Sequence, residues 1–163
     1  MDATDFVAAY GGVYEHSPWV AERVHKLLGE RQADTDLLTH LMADSVDNAS
    51  VEMQLELIRA HPDLAGKAQV AGQLTLDSTE EQSRAGLDQC TTEEFELFQT
   101  HNSAYKEKFG FPFIKAVRDS NRAEILEAFA SRLQNDYDAE FETALQEIHK
   151  IARLRLVAME NRK

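Results

Sequence analysis

Apolar residues along this chain recur at intervals of three and four rather than alternating, so its segments can bury one side only as helices. Seven Gly and three Pro among 163 residues leave few places to interrupt that pattern. The expectation is an all-α fold, a single compact domain over 1–163 with about seven to nine helices; at this length folding buries roughly 68–70 % of the unfolded surface. Ser17-Pro18 reads as an N-cap followed by proline at N1, opening a helix to about Leu28. Segments 34–48 and 51–61 read as two more, the second stopped by Pro62, which disfavours helical backbone in the residue before it. Ser78, Thr91 and Asn121 each stand three residues before a glutamate, the capping-box signature of a helix start. A last helix is expected from about Asp138 to Asn161. Between Pro62 and Asp77 the periodicity is lost, and Gly66 and Gly72 among short or polar residues suggest a long ordered loop, a feature usually tied to function.

Charge and cysteine content narrow the function. Acidic residues outnumber basic ones by 29 to 17, a net charge of −12, which disfavours nucleic acid or an anionic membrane as partner. An anionic small-molecule substrate then needs locally placed cations. No apolar run approaches the roughly 18 residues of a spanning helix, and the first residues lack the pattern of a secretory signal. With one cysteine, Cys90, no intramolecular disulfide forms, and the last residues, Glu160 to Lys163, lack a peroxisomal signal; a bacterial cytoplasm is the expected compartment.

Spacing tests dismiss several chemistries. The histidines lie at 16, 25, 40, 61, 101 and 149, so no two share a helix face at three or four residues and the zinc motif H-E-x-x-H is absent. Glu22-x-x-His25 lacks the second such motif and the two further glutamates of a di-iron bundle, and reads as a surface pair. Cys90 has no basic sequence neighbour to lower its pKa, and neither a nucleophile elbow nor a phosphate loop occurs.

More informative are polar residues on apolar faces. At 100° per residue, Phe141, Leu145, Ile148, Ala152 and Met159 fall within about 40° of one another, and Arg155 falls among them; Arg153 is turned away by about 120°. A guanidinium on a buried stripe needs an anion, either one of the chain's own carboxylates or that of a substrate. By the same arithmetic Asn102 joins Phe95, Phe98, Tyr105 and Phe109, as a buried amide that ties the helix to a loop or faces a ligand. The segment from Phe109 to Ile114, broken by Gly110 and Pro112, either fills the core or offers backbone groups to a planar ligand. His61, expected in the last turn of its helix and half-buried, has the macrodipole favouring the imidazolium and burial favouring the neutral ring, which sets its pKa near operating pH. Ser78 and Glu81 read either as a capping box or as groups turned toward an anion at a helix start.

Five separated motifs decide among these readings: Gly11-Gly12-Val13-Tyr14-Glu15-His16-Ser17-Pro18-Trp19; His61-Pro62-Asp63-Leu64-Ala65-Gly66-Lys67; Ser78-x-x-Glu81-Gln82-x-x-Ala85-Gly86-Leu87; Asn102-x-x-Tyr105-x-x-Lys108 through Ile114; and Arg155-Leu156. In this order they resemble the 2-oxo-4-hydroxy-4-carboxy-5-ureidoimidazoline (OHCU) decarboxylase family, which forms (S)-allantoin at the end of the uricase pathway. The resemblance runs from about residue 11 to 156 and leaves 33–48 unmatched. It implies an all-α enzyme without metal or cofactor, often a homodimer. By the resemblance His61 is the catalytic acid/base and Glu81 its companion. Pro62, Ser78, Gln82, Arg155 and backbone groups around Phe111, Phe113 and Ile114 then contact the substrate. Two other readings stand beside it: a non-catalytic helical interaction module, and a related cofactor-free lyase or hydrolase of urate breakdown.

Overall fold

A computed structural model describes residues 1–65, 75–118 and 120–162. Among them are α1 (Ala3–Tyr10), α2 (Trp19–Leu28), α3 (Thr35–Asp47), α4 (Val51–Arg59), α5 (Leu76–Arg84), a 3₁₀ turn (Leu87–Gln89), α6 (Thr92–Phe109), α7 (Arg122–Arg132) and α8 (Tyr137–Asn161). No strand occurs among the described residues, and the all-α expectation holds. None of these helices is long and apolar enough to cross a membrane.

Side-chain caps start most of the helices. Asp2, Asp34 and Ser50 accept from the backbone N–H three residues on, and Thr91–Glu94 and Asn121–Glu124 close reciprocal capping boxes, as their spacing predicts. Three boundaries differ from the sequence reading. Pro18, not Ser17, is the N-cap of α2, because the Ser17 hydroxyl donates instead to the Glu15 carbonyl at 3.0 Å. α4 ends at Arg59, which leaves His61 just beyond its last turn, its N–H on the Ile58 carbonyl at 3.2 Å. α5 begins at Leu76 because Thr75 Oγ1 accepts from Ser78 N at 3.2 Å, so an earlier capper displaces the Ser78–Glu81 box. Leu76 is fully exposed and adds nothing to an apolar stripe, which hid this start from periodicity. Of the expected 62–77 loop, 76 and 77 are helical, and 66–74, with Gly66, Lys67 and Gly72, lie outside the described residues.

The chain divides into two compact units, Met1–His61 with Ile148–Lys163 and Pro62–Glu147. In the first, α2 packs on α1 and α3. Its buried residues follow helical spacing: Val20, Val24 and Leu28 on α2, Leu38, Met42 and Val46 on α3, Ile148, Ala152 and Leu156 on α8. Each large aliphatic side chain so buried contributes about 1.5–3 kcal/mol, and Val24→Asp would place a bare charge among them.

The second unit is built on aromatic rings. Phe113 stacks on Phe129 with centroids 3.8 Å apart, while Tyr105 meets Phe113 edge-on at 5.4 Å and lies tilted against Phe109 at 4.5 Å. Gly110 makes the turn between them possible: at φ 76° it ends α6 in the left-handed region, its N–H returning to the Lys106 carbonyl, and sends the chain into Phe111-Pro112.

Candidate active site

The first unit assembles its polar residues around the turn between α1 and α2. Arg155 lies on the buried stripe of α8 and is 5 % exposed, whereas Arg153 faces solvent, 3.5 Å from the exposed Asp36. The helical phase read from sequence is therefore right. The anion that meets Arg155 is Glu15, itself 2 % exposed, at 3.0 Å; the other terminal nitrogen donates to the carbonyls of Gly12 and Val13, each at 3.3 Å. His16, next in the turn, adopts φ 49°, a conformation uncommon outside glycine.

His61 belongs to the same cluster. Its Nδ1 lies 2.8 Å from the Leu57 carbonyl, which can only accept, so Nδ1 carries the hydrogen and Nε2 the lone pair of a neutral ring. Burial is the main influence and lowers its pKa to about 4; the Leu57 carbonyl and the Glu15 charge oppose it, and Arg155 and His16 reinforce it. The expected titration near neutral pH is thus not found, because a ring only 7 % exposed loses more to desolvation than the helix end returns. At neutral pH the imidazole is a base poised at Nε2.

In the second unit, Ser78 and Gln82 stand four residues apart on one face of α5, both buried, and Glu81 beside them is half-buried. Gln82 accepts from Ala65 N at 3.0 Å and donates to the Asp63 carbonyl at 3.2 Å. The Gln99 amide donates to the Ala65 carbonyl and that of Asn102 to the Leu64 carbonyl, while Lys106 pairs with Asp63 at 2.6 Å. The segment following His61-Pro62 is therefore tied down residue by residue, with Ala65 held at φ 50°. The Asn102 nitrogen thus ties α6 to this segment, while its buried Oδ1 has no hydrogen-bond partner among the described residues. A glutamine amide has two N–H groups and its oxygen two lone pairs, so Gln82 retains hydrogen-bonding capacity beside these contacts.

The segment from Phe111 to Ile114 serves the core: all three of Phe111, Phe113 and Ile114 bury their side chains. Its backbone is pinned from outside. Arg132 donates to the Ile114 carbonyl at 2.5 Å, pairs with the fully buried Glu140 at 2.8 Å and lies 4.3 Å over the Phe113 ring. Glu140 also takes the hydroxyl of Tyr105 and the amide of Asn135. Cys90 is not activated, since burial and the neighbouring Glu94 push its thiol up.

Glu15 is the residue the sequence reading missed. It lies in a turn, where periodicity says nothing, and the signal available was complementarity: a guanidinium on the buried stripe required one carboxylate among 29. A helical scaffold that buries a neutral histidine with its basic nitrogen defined, next to a buried arginine and glutamate, is equipped to move a proton on an anionic molecule. Known proteins give that class its name. The profile of the OHCU decarboxylase family matches residues 1–157, and the chain belongs to that family of carboxy-lyases. A 2-oxo-4-hydroxy-4-carboxy-5-ureidoimidazoline decarboxylase of Halalkalicoccus jeotgali is 45 % identical over 155 residues, 95 % of this chain and 85 % of that protein. One of the same name from Mus musculus is 39 % identical, over 96 % of this chain and 86 % of that protein. A crystal structure of OHCU decarboxylase in the presence of (S)-allantoin matches with TM-score 0.73 and 25 % identity over 91 % of this chain and 95 % of that one. An (S)-allantoin synthase matches with TM-score 0.74 and 32 % identity over 97 % of this chain; this chain spans 50 % of that polypeptide.

Proposed function

We propose that the protein decarboxylates 2-oxo-4-hydroxy-4-carboxy-5-ureidoimidazoline to (S)-allantoin and CO₂, completing the oxidation of urate to allantoin. The observation that carries this reading is the buried, neutral His61 beside Arg155 and Glu15, in a chain of this family. The substrate needs no added electron sink. When its carboxylate leaves as CO₂, the electron pair enters the adjacent ring C=N bond, and the ring nitrogen takes up a proton. The enol so formed ketonises by losing its hydroxyl proton and gaining one on the neighbouring carbon. On balance CO₂ is exchanged for one proton, and delivery to one face gives the S product.

In this reading His61 Nε2 accepts the hydroxyl proton. An anion bound close by raises the pKa of a buried imidazole, so the anionic substrate itself makes His61 a stronger base than in the free protein. Arg155 binds charged or carbonyl oxygens of the substrate, Glu81 orients His61 or shares the transfer, and Ser78 and Gln82 take ureido or ring amides. Pro62 and the backbone of Phe111, Phe113 and Ile114 complete the contacts. We further propose that the enzyme acts without metal or cofactor, as the reaction's own electron flow supports, and works as a homodimer in the bacterial cytoplasm. Freshly made uricase product supplies the test. Rapid CO₂ release with a dextro- or laevorotatory signal matching authentic (S)-allantoin is expected; spontaneous-rate decay to racemic allantoin overturns the reading.

A further inference from the structure

Opposite Arg155, the turn between α1 and α2 has a second attachment that the proposed chemistry does not use. The hydroxyl of Tyr14, a residue 2 % exposed, lies 2.8 Å from His149 Nδ1, and His149 Nε2 lies 3.0 Å from Asp47 Oδ1. A carboxylate only accepts, so in the neutral imidazole Nε2–H donates to Asp47 and the Nδ1 lone pair takes the Tyr14 O–H. Asp47 is the last residue of α3, whose final turn carries no basic residue, and its carboxylate accepts from His149 of α8. His149 and Arg155 stand six residues apart on α8, about 9 Å along its axis. One helix thus grips the turn at two points, at Tyr14 and at Gly12, Val13 and Glu15.

We propose that Tyr14 is a positioning residue for substrate binding: the Tyr14–His149–Asp47 chain holds the turn at 12–15 in place so that its carbonyls and Glu15 orient the Arg155 guanidinium. This role rests on the function proposed above. The chain is not a proton path, because burial, and secondarily the Asp47 charge, raises the Tyr14 phenol far above its ordinary range. Its hydroxyl stays neutral and its contribution is geometric. A guanidinium recognises oxygens through a fixed fork, so a small displacement of the turn degrades binding more than it degrades the fold.

The test is Tyr14→Phe, which removes one oxygen and keeps the ring, with kcat, KM and melting temperature measured on freshly made uricase product. We expect KM to rise about tenfold with kcat within about twofold of wild type, the pattern of lost substrate binding. In an Arg155→Lys background the same substitution changes KM little, because residues acting through one another are not additive. Asp47→Asn, at the exposed end of the chain, gives the same KM shift at smaller size and covers the case in which Tyr14→Phe folds poorly. A lowered melting temperature with unchanged KM in both variants means the chain only stabilises the fold and overturns the proposal. So does an undiminished Tyr14→Phe effect in the Arg155→Lys background. Wild-type protein without CO₂ release overturns the proposed function itself, and this role with it, before any variant is made.

Discussion

Each unit sets an arginine against a buried glutamate, and the two pairs have different surroundings. Arg132 and Glu140 in the second unit are enmeshed: the guanidinium also holds the Ile114 carbonyl and covers Phe113, and the carboxylate also takes Tyr105 and Asn135. Ile114 and Phe113 belong to the Phe111–Ile114 segment, and Tyr105 packs on its rings. Arg155 and Glu15 in the first unit adjoin His61 instead, and both charges act on its ring, in opposite directions. Burial and pairing alone therefore do not distinguish the two arginines. The surroundings of the pairs differ: aromatic rings for one, a neutral imidazole with its basic nitrogen defined for the other.

The largest effect is expected where the first pair meets chemistry. His61→Asn should reduce kcat by about 10²–10⁴-fold, the usual worth of general acid-base assistance, with the fold intact. Its pH signature is separate. The unfolded chain protonates this histidine below about 6.5, whereas the folded one resists until about 4, so wild type loses stability as pH falls through that window, by roughly 3 kcal/mol. His61→Asn should escape this loss and narrow or reverse any deficit in melting temperature between pH 7 and pH 4.5. Parallel melting curves for the two proteins across that range contradict the buried, neutral ring.

Arg132→Ala should act on folding. Removing one partner of a buried pair costs about 3–5 kcal/mol, here by leaving the Glu140 charge uncompensated. Denaturant titration should show that loss, while the molecules that remain folded keep a kcat within severalfold of wild type. A fully stable but inactive Arg132→Ala would erase the distinction between the pairs.

Arg155→Ala should lower kcat/KM by about 10- to 100-fold, mainly through KM, as for a lost charge-assisted contact, and should also lower stability, because it removes the arginine paired with the buried Glu15. Arg155→Lys should recover little if the contact is bidentate. Arg153→Ala, two residues along on the exposed face, should leave kinetics and stability almost unchanged, because its contact with Asp36 is solvated. Initial rates on all three, with equal losses at 153 and 155, would show that the phase of α8 does not govern binding.

That phase is the clearest case of what one sequence carries. Helical periodicity is a local property, and it placed Arg155, Ile148 and Ala152 on the buried side of α8 and Asn102 on that of α6. Capping boxes are local too, and those at Thr91 and Asn121 form as read. Where two local signals competed, the reading failed: Thr75 and Ser78 both cap well, and only the observed bond to Ser78 N decides between them. Nothing local shows that Arg155 meets Glu15 across 140 positions, or that Asp47, His149 and Tyr14 join. Such pairings come from topology. His61 was legible as a residue and not as an environment, since the balance between helix end and burial depends on how much of the chain covers the ring.

Glu81 offers the smallest effect and sharpens the comparison from the second unit. With Thr75 as the N-cap, Glu81 lies well inside α5, and the capping explanation for it is removed. Glu81→Gln should leave the helix itself little changed, as both residues are good helix formers. If it assists proton transfer, kcat should fall about tenfold, more than any stability change explains, and the His61→Asn, Glu81→Gln double variant should be barely slower than His61→Asn, because groups serving one step are not additive. Melting curves, initial rates and the chirality of the allantoin formed settle the matter on four proteins. Wild-type turnover with fully S product from Glu81→Gln would confine the chemistry to the histidine and its arginine–glutamate pair.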